Sequence, residues 1–212
     1  MTPYNLNGEP IKPTYDKKNV YLIDHGHERH VGFTTENVTV NQIKNEEVII
    51  REQSLISDTI GNRKIHLMVN QKTLSPIQFS ETIGETEHIS ADYKKHVVQV
   101  TKDDQTHIHP LSECVMDSFS LELALRILPF HNDYSTTLNA FHPTQQTTVL
   151  ISVHVLGMEA VYADSERKVE AWKIECLFGE RRQVYWVYVD GRELLKQASQ
   201  VGENVRMEFR RD

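Results

Sequence analysis

Two imidazoles and a carboxylate stand at His107, His109 and Glu113, within the run His107-Ile108-His109-Pro110-Leu111-Ser112-Glu113. On an extended strand alternate side chains share a face, so His107 and His109 would point the same way, and Glu113 could complete a site for Fe, Mn or Zn. The competing expectation turns on Ile108: if it faces the core, alternation sends both histidines to solvent as ordinary surface groups. A second group, His25, His27 and His30, has metal-like spacing around Gly26. There a polar turn is the simpler reading.

The His-x-His-x-x-x-Glu spacing resembles the first metal motif of the cupins, and that resemblance implies a metal-dependent enzyme. The glycines that bracket the motif in cupins, and their second histidine motif, have no counterpart here. Other local signatures of catalysis are missing too: there is no Gly-x-Ser-x-Gly elbow, Walker loop, Gly-x-Gly-x-x-Gly turn or His-Glu-x-x-His helix. The common nucleotide-binding and hydrolase readings lose their support. A triad assembled from distant positions needs no such motif.

Aromatic residues offer a different chemistry. Closing a hairpin over Gly179 to Arg182 sets Phe178 opposite Gln183, Cys176 opposite Tyr185, Ile174 opposite Val187 and Trp172 opposite Val189. The other face then pairs Leu177 with Val184, Glu175 with Trp186 and Lys173 with Tyr188. Apolar groups on both faces require cover on both, from a closing barrel wall, a partner subunit or a bound apolar ligand. A cavity lined by Leu177, Val184, Trp186 and Tyr188 beside a helix would stabilise an acyl chain by about 0.8 kcal/mol per buried methylene. Simple core packing of these aromatics is the bland alternative.

The elements that must position these residues are mostly strands. Residues 1–18 carry Pro3, Gly8, Pro10 and Pro13 among polar side chains and read as an irregular lead-in. From residue 19 onward, short apolar or alternating runs succeed one another at Val20–Ile23, Val31–Val40, Val48–Ile56, Ile65–Val69, Ile77–Ile83 and His96–Val100. After the middle of the chain they resume at Thr136–Phe141, Val149–Val155, Met158–Tyr162, Val169–Phe178, Val184–Val189 and Val205–Phe209. Polar turns between them favour antiparallel meanders.

One segment breaks the rhythm. Asp117 or Ser118 can cap a helix that runs to Leu128 and is stopped by Pro129. Its apolar residues cover most of its circumference, so it must be wrapped. The expected fold is mainly β (α+β): a strongly curved antiparallel sheet or incomplete barrel around one buried helix, with residues 19–212 as a single domain.

Composition narrows the partners. A net charge of −7, from 30 acidic and 23 basic residues, repels phosphate backbones and anionic surfaces, so no nucleic acid is expected. Cys114 and Cys176 lie far apart, without the pattern of a disulfide scaffold or zinc ribbon. No apolar run reaches the length of a membrane span. The opening residues lack a signal-like apolar stretch, which gives an expectation of cytoplasmic residence unless an export signal was removed.

The helix and the second half of the chain resemble a bacterial family of unknown function, domain-of-unknown-function family 3108, itself similar to the LolA and LolB lipoprotein carriers. The residues that carry the resemblance are Asp117 and Ser118 before Leu125-Arg126-Ile127-Leu128-Pro129, then Val155-Leu156-Gly157-Met158-Glu159. Tyr185-Trp186-Val187 come next, leading to Asp190, Arg192 and Leu194-Leu195-Lys196. The resemblance implies a curved, incomplete antiparallel barrel with a helix in or across its mouth, and no catalytic residues or cofactor. Together with the two-faced hairpin it gives the expectation of a non-enzymatic domain binding a lipid-like small molecule or a protein partner.

Overall fold

Alternation of apolar and polar side chains extends most of this chain. In β4 (Arg63–Asn70), Ile65, Leu67 and Val69 are buried on one face while Lys64, His66 and Met68 take the other. The computed structural model describes residues 6–111 and 115–211. Seven further strands join β4 in a first meander: β1 (Thr14–Asp24), β2 (His27–Ile43), β3 (Glu46–Ile56), β5 (Pro76–Ile83), β6 (Thr86–Lys94), β7 (Val97–Lys102) and β8 (Gln105–Pro110). A short β9 (Met116–Asp117) leads into the helical segment. The second meander comprises β10 (Ser135–His142), β11 (Thr147–Tyr162), β12 (Lys168–Phe178), β13 (Arg181–Tyr188), β14 (Leu194–Gly202) and β15 (Val205–Arg210).

Antiparallel pairing of β1 with β15 joins the two meanders into one fifteen-stranded sheet. Its edges are β8 and β9, the latter lying parallel to β10. The sheet curls until these edges approach each other through side chains. Tyr93 Oη donates to the Asp117 carboxylate, and His109 Nε2 lies 3.1 Å from Gln146 Oε1. The result is an incomplete barrel.

The main core fills this barrel. Phe79, Leu67, Ile49 and Val98 from the first meander meet Leu138, Ile151, Ile174 and Val187 from the second, with Leu121, Leu123, Ala124 and Leu125 between them. Asp117 caps the helical segment as expected, accepting from the Phe119 amide at 2.7 Å. A 3-10 turn, Ser118–Ser120, runs into α1 (Leu121–Leu125). The regular helix is shorter than the expected run to Leu128. Pro129 disfavours α geometry at the residue before it, and Arg126 turns aside to Glu36.

Other expectations need correction. Strand β1 starts at Thr14, inside the expected irregular lead-in, because its charged residues Asp16 and Lys18 pair with each other and are buried. Strands β6, β8 and β14 lie outside the runs expected from alternation: β8 and β14 mix polar and apolar groups on a face, and in β6 only the short alternation Ile89, Ala91, Tyr93 marks the inner face. The runs Val149–Val155 and Met158–Tyr162 are one strand, β11, with a bulge between Val155 and Gly157. Gly157 sits at φ +128°, a conformation that side-chain-bearing residues rarely adopt, and it bends the strand there.

The β12–β13 turn is also tighter than expected. Gly179 and Glu180 close it, so Phe178 pairs with Arg181, Cys176 with Gln183, Ile174 with Tyr185 and Trp172 with Val187. Gly179 adopts φ +61°, as a two-residue hairpin turn requires. The slip is an even number of positions, so each side chain keeps its expected face.

Candidate ligand cavity

The helical rod is too short to fill its sheath. A 3-10 turn plus five α residues spans roughly 13 Å, whereas a strand the length of β13 spans roughly 27 Å. One end of the barrel is therefore unfilled. A cavity of about 370 Å³ opens there, with the first residues of the helical segment, Ser118 to Glu122, as its floor. Its walls are Gln53 and Ile65 on one side, Gln183, Tyr185, Ser199 and Met207 on the other, and Val149 and Phe178 between.

Several apolar side chains point into this space and remain half-exposed, among them Phe119, Val149, Phe178, Met207 and Phe209. Phe119 is held by stacking on Phe79, with centroids 4.6 Å apart. Arg63 lies over its ring at 5.6 Å, and His142 meets it edge-on at 5.5 Å. The Tyr185 phenol donates to Gln183, and burial pushes it well above its ordinary range, so it stays protonated.

Beneath the cavity lies a buried ionic network. Arg51, 1% exposed, donates from Nε to Glu36 at 2.7 Å, from Nη1 to the Phe119 carbonyl at 3.3 Å and from Nη2 to Glu122. Arg126 reaches the second Glu36 oxygen. Burial alone would raise the Glu36 pKa, but the charges of Arg51, Arg126 and Lys18 hold it well below the usual carboxylate range. These ions tie the helical segment to β2 and β3 and fix the cavity floor.

At the rim, Arg63 pairs with Glu81. Burial, then the charges of Arg181 and Arg63, lowers the His142 pKa, which keeps that imidazole neutral near pH 7. The polar groups of the cavity are amides, hydroxyls and paired ions, set among aromatic and aliphatic side chains.

The hairpin residues expected to line a cavity beside the helix lie elsewhere. Val184 and Trp186 belong to a second, smaller core with Val161, Ala171 and Leu195, on the face of β13 opposite the one carrying Tyr185 and Val187. Tyr188 packs against that second core, and Leu177, half-buried, shares its face and pairs with Arg182. The physical reason is strict alternation: residues 184 and 186 cannot share a face with 185 and 187. The cover on this second face comes from the sheet itself. Beyond its bulge β11 folds over, so that Val161 and Ala163 close on β13 and β14. Val184 and Trp186 do border an outer groove of about 700 Å³, with Lys173 and Lys196 flanking the indole.

The histidine pair follows the solvent-facing alternative only in part. Ile108 is 67% exposed, so His107 and His109 share the other face, where His109 is half-buried and His107 stays exposed to solvent, as the surface reading expects. His109 packs 5.6 Å from Phe141, and the two imidazole centroids are 6.5 Å apart. Glu113 lies outside the described residues. Among the described residues no group of three His, Cys, Asp or Glu side chains could hold a metal ion. His25 and Gly26 form the β1–β2 turn, and His25 pairs with Asp24 at 2.6 Å.

The residues that line the cavity escape sequence reasoning. Gln197 and Ser199 look like solvent-facing positions of a weak strand, and only the β13–β14 register turns them inward. The useful signal is parity: Tyr185 shares a face with Cys176 and Ile174, both buried.

A single curled sheet open along one seam and holding a short helix defines an open, β-barrel-like domain. A crystallographically determined β-barrel-like protein of domain of unknown function DUF1849 from Brucella abortus has the same fold, with a TM-score of 0.63 and 11% identity over 94% of this chain and 95% of that one. The chain itself belongs to the family described as protein of unknown function DUF3108, whose model matches residues 19–210. A comparison with curated proteins finds no match. Among the described residues no helix is long and apolar enough to cross a membrane.

Proposed function

We propose that this chain is a binding domain whose barrel interior takes up an apolar or lipid-like small molecule. The observation that carries the reading is the set of half-exposed apolar side chains facing inward around a 370 Å³ cavity. In a packed core such groups would close on one another, and covering what remains exposed of each would contribute about 25 cal/mol per Å² of apolar surface. A ligand that fills the space recovers part of that. The relation to the LolA and LolB carriers that the family resemblance implies belongs to the same proposal.

A neutral lipophilic dye such as N-phenylnaphthylamine, titrated into the protein, tests it. Saturable fluorescence enhancement at one site, reversed by an alkyl-chain competitor, is expected. A linear, non-saturating response with no displacement speaks against the proposal.

A further inference from the structure

The mouth of the cavity carries a charge pattern that the acidic chain as a whole does not. Three basic side chains, Arg63, Arg181 and His142, border it, with Arg63 and His142 against the Phe119 ring. The carboxylates nearby are already engaged: Glu122 by Arg51, and Glu81 by Arg63. Arg181 is different. It is exposed at the first position of β13, and among the described residues no ion pair or hydrogen bond engages its guanidinium. It stands between this cavity and the outer groove and lines both, whereas its neighbour Glu180 lines the outer groove alone.

The rim thus presents one uncompensated cation next to a neutral imidazole, with the amides of Gln145 and Gln183 in reach of the same opening. Behind it Phe119, Val149 and Phe178 form an apolar flank among polar neighbours such as Gln53 and Ser199. A charged lip beside that apolar flank matches a molecule with one charged end.

We infer that the ligand of this cavity is an anionic amphiphile, with a carboxylate or phosphate at Arg181 and an apolar chain running inward past Phe119. This rests on the reading of the cavity as a ligand site. Guanidinium binds both oxyanions through paired N–H donors, so the shared chemistry is the single anionic head.

Calorimetric titrations with decanoate, decyl phosphate, decanol and acetate test it on the intact protein. Decanoate or decyl phosphate should bind about tenfold more tightly than decanol, the increment of one charge-assisted hydrogen bond. Whichever of the two binds more tightly names the head group. Arg181→Gln should erase that preference. Arg182→Gln, on the opposite face and paired with Glu175 at 2.5 Å, should retain it. Equal affinity for decanoate, decyl phosphate and decanol, or a preference that survives Arg181→Gln, overturns the anionic head while leaving an apolar site standing. Acetate binding without decanol binding overturns the amphiphile. Failure of every chain-bearing probe overturns the cavity reading itself.

Discussion

The Tyr93 hydroxyl on β6 donates its hydrogen bond to the carboxylate of Asp117 on β9, across the seam where the sheet fails to close. Asp117 is fully buried and caps the helical segment through its other oxygen, so one side chain joins a sheet edge, the seam and the helix start. Burial pushes its pKa up to about 7, against the opposing pull of the Tyr93 and Phe119 hydrogen bonds and the Arg51 charge.

The Asp117 carboxyl should leave a pH signature on stability. Its folded pKa is raised above the ordinary 3.8, so between about pH 4 and pH 7 the folded protein keeps a proton that the unfolded chain has released. Stability attributable to Asp117 is full below that window and is lost as pH rises through it, by up to about 1.4 kcal/mol per pH unit. Urea unfolding of the wild type and Asp117→Asn across pH 4 to 7 should give curves that diverge with this sign. Parallel curves would show the carboxyl to be ordinary.

Removing the Arg51 guanidinium should be among the costliest single changes in the chain. Arg51→Ala leaves Glu122 buried without its partner and Glu36 with Arg126 alone, at a cost of about 3–5 kcal/mol. Glu36 adds an acid-side dependence: its lowered pKa supports folding at neutral pH and ceases to do so as pH falls below about 4.5. Equilibrium denaturation of Arg51→Ala reads the first effect. A loss under about 1 kcal/mol would mean the network is solvated.

Trp186 separates the two faces of the hairpin. Because the indole belongs to the outer core, Trp186→Ala should cost about 3–5 kcal/mol of stability while leaving dye affinity of the folded protein unchanged. Phe119→Ala should do the reverse in kind, altering dye affinity through the cavity floor. Loss of dye binding in folded Trp186→Ala protein would return the ligand site to the outer face.

Metal content addresses His107 and His109. Because His109 is occupied by Gln146 and Phe141 at the seam, replacing both histidines by alanine should leave the transition-metal content of untagged protein unchanged and low. Stoichiometric metal lost in the double variant would revive the cupin-like reading, with Glu113 as the third ligand.

The fold class is legible in the sequence because most strands bury a regular alternation and the helix is apolar over most of its circumference. Strand β6 hides because polar His88 precedes its short alternating run, and β14 hides because its inner face, Gln197 and Ser199, faces a cavity. The hairpin register differs by two positions from the one the turn residues suggest, yet parity keeps the faces of Trp186 and Tyr185 as expected. Which face meets the helix is beyond local pattern, since both carry aromatics. That choice depends on the coiling of β11 at Gly157, and on pairing between β1 and β15, the two ends of the chain. Likewise, Ile108 resembles a core residue and is exposed, because β8 is an edge strand whose inner face looks across an open seam.

Native mass spectrometry of protein purified from its own host, beside a Val149→Trp variant that plugs the barrel, gives the most direct reading of the central claim. The wild type should carry one small molecule released on activation, and the plugged variant should be bare while still folded. A wild type at its bare polypeptide mass, or a ligand retained equally by the plugged variant, would contradict an interior binding site.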